Sequence, residues 1–241
     1  MTNNKTIANL QNISLCMQAI KTAQDRPQHL PGIVCFFGHS GFGKSTAAGF
    51  LASELNAIYV EAKSTWTQKA LLENILLMMG IDPAKTINKM MDQVAQELAI
   101  SNRPLIVDEM DHLVHKKSVE IIRDIYESSG APILLIGEER LPHKLMEWER
   151  FHGRILEWVQ AQPAGTDDAR ELAALFASEI TIADDLLGEV SRISSGSVRR
   201  ICVNIDLIKR ESRKLGKTEI DRSVWGNRPL HTGQPPKMRG R

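Results

Sequence analysis

Cysteine, aromatic side chains and long apolar runs are all in short supply in this 241-residue chain, and each shortage excludes something. The three cysteines, Cys16, Cys35 and Cys202, are odd in number, far apart and set in apolar contexts. They read as reduced core residues, which excludes a disulfide framework or a thiolate metal site. No apolar run approaches the roughly 20 residues of a membrane-spanning helix. The opening MTNNKTIANLQ carries neither a signal-peptide pattern nor a lipidation motif, so a cytoplasmic protein without membrane attachment is expected. With two Tyr and six Phe, there is no aromatic-rich strand on which single-stranded bases could stack.

Net charge is scarce too, at +1, but the total hides an asymmetry. From Lys209 to Arg241 ten Lys or Arg face three Asp or Glu, leaving an acidic body with a basic C-terminal end. That pattern suits a polyanion partner, although a solvated helix and tail would look the same.

Against these absences stands GHSGFGKST, residues 38 to 46. It follows the apolar run Ile33 to Phe37 and precedes a helix-compatible stretch, the strand, loop and helix context of a phosphate-binding loop. Gly38, Gly41 and Gly43 let the backbone of His39, Ser40 and Phe42 close around phosphate oxygens at a helix N-terminus. Lys44 adds a point charge for the β- and γ-phosphates of ATP, the Ser45 hydroxyl is placed to ligate Mg²⁺, and Thr46 completes the first helical turn. Such a loop requires a carboxylate partner for the metal, and PLIVDEMDHL supplies one. Asp108 would hold Mg²⁺ through its water shell, and Glu109 would orient and deprotonate the attacking water.

Strand and helix signals alternate up to about residue 160. Strands are expected at 33–37, 57–61, 104–108, 132–137 and 154–159, with helices at 7–22, 67–79, 83–99, 118–128 and 141–149. Near-continuous apolar strands of this kind form a mostly parallel sheet covered on both faces. After Gln162-Pro163-Ala164-Gly165 the strand signal disappears and three helical segments follow, at 167–178, 184–194 and 197–215. The expected organisation is a helical lead-in (1–30), a nucleotide-binding α/β domain (31–163), a small helical lid (164–222) and a basic tail (223–241), disordered from about His231.

Phosphate loop, Asp-Glu strand, further apolar strand, Arg-bearing segment and helical lid come in the order of the AAA+ ATPases, which this chain resembles over roughly residues 5 to 215. The stretch VDEMDHLVHKKSVEIIRDIYESSGAPILLIGEERLPHKL followed by ERFHGRI is similar to the transposition branch of that family, the branch of the phage Mu B protein, without its N-terminal helix-turn-helix domain. The resemblance implies a homo-oligomer, ring or helical filament, in which an Arg of one subunit reaches the γ-phosphate held by the next. Arg150 and Arg154 occupy the matching region, and either could instead pair with Glu147, Glu149 or Glu157. A lid Arg that senses nucleotide is implied at Arg199, with Arg200 as the alternate. The partners implied are double-stranded DNA and a transposase, with hydrolysis resetting the assembly. A helicase-loader-type ATPase and a nucleotide-switched scaffold with little turnover are the alternatives. One departure stands out: Glu138 and Glu139 follow PILLIG where a small polar residue is expected, and a carboxylate there either turns to a basic neighbour or slows hydrolysis.

Overall fold

A computed structural model describes residues 8–114 and 118–234. In chain order the elements are α1 (Gln11–Asp25), β1 (Ile33–Phe37), α2 (Lys44–Glu54), β2 (Ile58–Glu61), α3 (Gln68–Met79), α4 (Ile87–Ser101), β3 (Leu105–Asp108), α5 (Asp111–Val114), α6 (Val119–Ser129), β4 (Ile133–Gly137), α7 (Leu141–Met146), α8 (Glu149–His152) and β5 (Ile155–Gln160). There follow α9 (Thr166–Phe176), β6 (Thr181–Ile182), α10 (Asp184–Ile193), α11 (Val198–Leu215), β7 (Glu219–Ile220) and α12 (Arg222–Trp225). Two compact units result: residues 13–39 with 44–161, and the described parts of 1–12 and 162–241 together with the loop tip 40–43.

The first unit is a five-stranded, fully parallel sheet in the order β2-β3-β4-β1-β5. Its strands are apolar without alternation because helices cover both faces, and every residue of β3 and β4 is buried. Ile33, Leu72, Leu98, Val107, Leu135 and Phe151 sit in its main apolar cluster. Local signals set the helix ends. Thr67 and Thr86 accept the N–H groups of Ala70 and Lys89 as N-caps of α3 and α4, and Gly80 ends α3 in the left-handed region. The order of strands decides where chemistry can occur: β4 lies between β3 and β1, so Asp108, Gly137 and Gly38 come side by side at the carboxyl edge. There the N–H of Gly38 donates to the carbonyl of Gly137 (3.3 Å), and that of Met110 to Ile136 (2.9 Å).

The second unit contains the three expected helices and two features that were not expected. β6 and β7 form a two-stranded parallel ribbon, Ile182 against Ile220, where no strand was anticipated. His231, at the start of the stretch expected to be loose, is held: Asn204, buried in α11, accepts its N–H (2.6 Å) and donates to its carbonyl (3.0 Å). Asp168 in α9 accepts the N–H of Gly165 (3.0 Å) and that of Gln11 (2.8 Å), the first residue of α1. Lys237, Arg239 and Arg241 lie outside the described residues. Among the described residues no helix is long and apolar enough to cross a membrane.

Candidate active site

The loop between β1 and α2 has the conformation its glycines permit. Gly41 and Gly43 take φ of 88° and 82°, where a side chain would be strained. At Gly41 a Cβ would also meet the Ser197 hydroxyl at 2.5 Å. Its carbonyls are held from several directions. Lys44 Nζ donates to Gly38 (2.8 Å) and His39 (2.9 Å), the Val198 N–H donates to Gly41 (2.8 Å), and Asn12 Nδ2 donates to Phe42 (2.8 Å). Lys44 opens α2, with Ser45 and Thr46 exposed in its first turn. His39 pairs with Glu139 through Nδ1 at 2.5 Å, and Ser40 is exposed at the tip.

Asp108 and Glu109 are where the sequence places them, at the end of β3. Asp108 is buried, accepts the Glu109 N–H at 2.8 Å and accepts the Tyr59 hydroxyl at 3.2 Å. Glu109 sits in the left-handed region at φ 53°, a strained setting for a non-glycine residue, which turns its carboxylate away from the strand direction. Burial, and then the neighbouring Asp108, hold its carboxyl above the ordinary range. Burial pushes the Lys44 ammonium down, opposed by Asp108, Glu109, Asp111 and Glu138. With Asp111 also paired with Lys144, Lys44 stands against Asp108, Glu109 and Glu138, an excess of carboxylates that suits a ligand bringing its own counter-cation. No group of three or more His, Cys, Asp or Glu among the described residues could hold a metal alone. Asp108 and Ser45 offer the one or two protein oxygens that Mg²⁺ would take while keeping several waters.

Two residues escaped the sequence reading. Tyr59 holds one Asp108 oxygen from the neighbouring strand, and burial raises its hydroxyl pKa. Asp111, the third acid of DEMD, is buried; its oxygens accept from Lys144 Nζ and from the Glu138 N–H, both at 2.6 Å. Thus the backbone of Glu138, the residue at the unexpected position, is fixed by Asp111 while its side chain is exposed. The only sequence signal for Asp111 is that acid's spacing from the Asp-Glu pair.

Arg150 and Arg154 belong to another cluster, a surface recess shared with Arg123 and Glu127. Arg154 donates to Glu127 through Nε (2.9 Å) and Nη2 (2.7 Å), not to Glu147, Glu149 or Glu157. Both partners are over two-fifths exposed, so the pair contributes only about 0–1 kcal/mol and is readily exchanged for a stronger anion. In the second unit, Arg199 is exposed on the first turn of α11, one residue after the Val198 N–H that holds Gly41. Arg200 lies against Gly233 instead. The basic face of α11 is largely matched: Lys209 and Arg213 both reach Glu179 (2.9 and 3.0 Å), Arg210 reaches Asp206 and Lys214 reaches Glu211. Lys209 first, then Arg213, hold the Glu179 carboxyl down at about 2.

Residues 28–145 match a family model described as an AAA domain. The chain has the AAA+ fold. Among solved structures, Cdc6p from Pyrobaculum aerophilum superimposes with a TM-score of 0.62 at 13% identity, over 87% of this chain and 63% of that one. The ORC2 protein of Aeropyrum pernix, in ADPNP and ADP complexes, gives 0.65 at 14% over 92% and 68%. The ORC1 protein of the same organism, in complex with DNA, gives 0.59 at 15% over 88% and 62%. This chain therefore spans less than two thirds of the length of Cdc6p and of ORC1. No curated protein sequence matches it.

Proposed function

We propose that the chain is a DNA-dependent ATPase that assembles on double-stranded DNA in its ATP form and activates a transposase, with hydrolysis releasing the assembly. The observation that carries the ATPase reading is the meeting of Lys44, Asp108 and Glu109 at one edge of the parallel sheet. Lys44 and the loop N–H groups hold the β- and γ-phosphates, and Ser45 and Asp108 are the residues to hold Mg²⁺, which neutralises charge between those phosphates. Glu109 takes a proton from the attacking water, and a raised pKa makes its carboxylate a stronger base. The transposase partner is carried by the sequence pattern between residues 107 and 155. A helicase-loader-type ATPase is the second reading, favoured by the likeness to Cdc6p and to an ORC1 protein solved with DNA.

Duplex DNA should stimulate ATP turnover more than single-stranded DNA of equal length; preference for the single strand would transfer the assignment to the loader. The ion pairs on α11 move the expected DNA contacts toward the C-terminal end. Deleting residues 235–241, which removes Lys237, Arg239 and Arg241, should lower the slope of log affinity against log salt by up to about 3. An unchanged slope would leave those cations off the DNA.

Arg150, Arg154 and Arg199 act on the nucleotide in this reading, the first two across a subunit boundary. An Arg given in trans stabilises charge on the transferring phosphoryl group. Mixing Arg154→Ala protein, which keeps a complete site, with Glu109→Gln protein, which keeps the Arg, should restore part of the turnover either lacks alone. The same mixture with Arg150→Ala tells which of the two is the finger; no rescue by either would place both in cis.

A further inference from the structure

We infer that Asn12 is a positioning residue of the phosphate loop, an assignment that rests on the nucleotide-binding reading above. Asn12 is 4% exposed, and its amide is fully used. Nδ2 donates to the Phe42 carbonyl (2.8 Å) and to the Gln162 carbonyl (2.7 Å), while Oδ1 accepts the Gln162 N–H (2.8 Å). The paired bonds to Gln162 fix the amide plane, so the remaining N–H can point only at Phe42. A peptide unit is planar and trans, with its carbonyl and the following N–H in opposite directions. Drawing the Phe42 carbonyl toward Asn12 therefore turns the Gly43 N–H the other way, into the concave side of the loop, immediately before Lys44.

The other carbonyls described above are fixed differently. Gly38 and His39 are held by Lys44, part of the loop itself, and Gly41 by a main-chain N–H of α11. The Phe42–Gly43 peptide is set by a side chain outside the loop. The same side chain grips Gln162, the residue at which the second unit begins its long segment, so the Phe42 carbonyl and the Gln162 main chain are held by one amide group.

The test uses the full chain with Asn12→Ala and with Asn12→Asp, which has the same volume but sets a carboxylate oxygen against two carbonyls. Folding is followed by thermal melting without nucleotide, and binding by calorimetry with ATP and with inorganic pyrophosphate, which reports the phosphate cradle alone. Leaving the Phe42 carbonyl unheld should weaken ATP and pyrophosphate binding by a common factor of about 10 to 100. A folded variant with parental affinities, or one that loses ATP but keeps pyrophosphate, overturns the assignment. Loss of cooperative melting in both variants also overturns it, making Asn12 a folding residue. If the parental chain itself binds neither ligand, the nucleotide reading falls, a result distinct from failure at Asn12.

Discussion

Lys44→Ala protein should fail to bind ATP, with affinity reduced at least about 100-fold, or roughly 2.7 kcal/mol. Lys44 is the cation amid Asp108, Glu109, Asp111 and Glu138. Without it Asp108 and Glu109 face the triphosphate uncompensated by its charge, Asp111 being already paired with Lys144, and the carbonyls of Gly38 and His39 lose the ammonium that orients them. The loss should not come from unfolding. Burial lowers the folded pKa of Lys44, so below that value the charged form costs stability, and alanine removes the cost. Calorimetry with ATP beside a melt of the nucleotide-free protein separates the two effects; undiminished ATP affinity would sink the assignment of the loop.

Glu109→Gln should do the opposite, binding ATP normally while turnover falls about 10²- to 10⁴-fold, since the amide cannot accept a proton from water. In the parental protein the acid limb of turnover should lie above the usual carboxylate range, because burial and Asp108 raise the pKa of Glu109. The sign for stability follows from the same shift. The folded state binds the extra proton more tightly, so stability declines as pH rises from the unfolded value through the folded one, and stays reduced above it. Glutamine has no such penalty, and its melting temperature at neutral pH should equal or exceed the parental one. Turnover at the parental rate would place the base elsewhere; a lower melting temperature would mean that the carboxylate is stabilising after all.

The parallel sheet and its phosphate loop were legible in the sequence because both rest on local signals. Five apolar runs bounded by turns, and three glycines spaced before Lys44 and Ser45, need no knowledge of distant partners. The ribbon of β6 and β7 escaped because Thr181–Ile182 and Glu219–Ile220 are two residues each, too short for an alternation to register. Asn12, Tyr59 and Asp111 escaped for another reason: their roles depend on residues far along the chain, Gln162 being 150 positions from Asn12. The basic run after Lys209 was visible, but its neutralisation by Glu179 was not, since pairing across 30 or so positions leaves no period to read. Arg154 shows the same limit, its partner Glu127 lying on α6 and not among the adjacent acids.

The interleaving of the two units has a consequence for how the protein is made. During synthesis Asn12 must wait for its partner Gln162, 150 residues later and two beyond the end of β5, so the sheet and this contact are completed together. At roughly 5–20 residues per second that delay is about 8–30 s. The Val198 N–H that holds Gly41, and the Asn204 that anchors His231, arrive later still. The phosphate loop is thus synthesised early but acquires its outside supports, the Asn12 amide set by Gln162 and the Val198 N–H, only after β5, so a ribosome-bound fragment ending at β5 should carry the loop before it can hold nucleotide firmly.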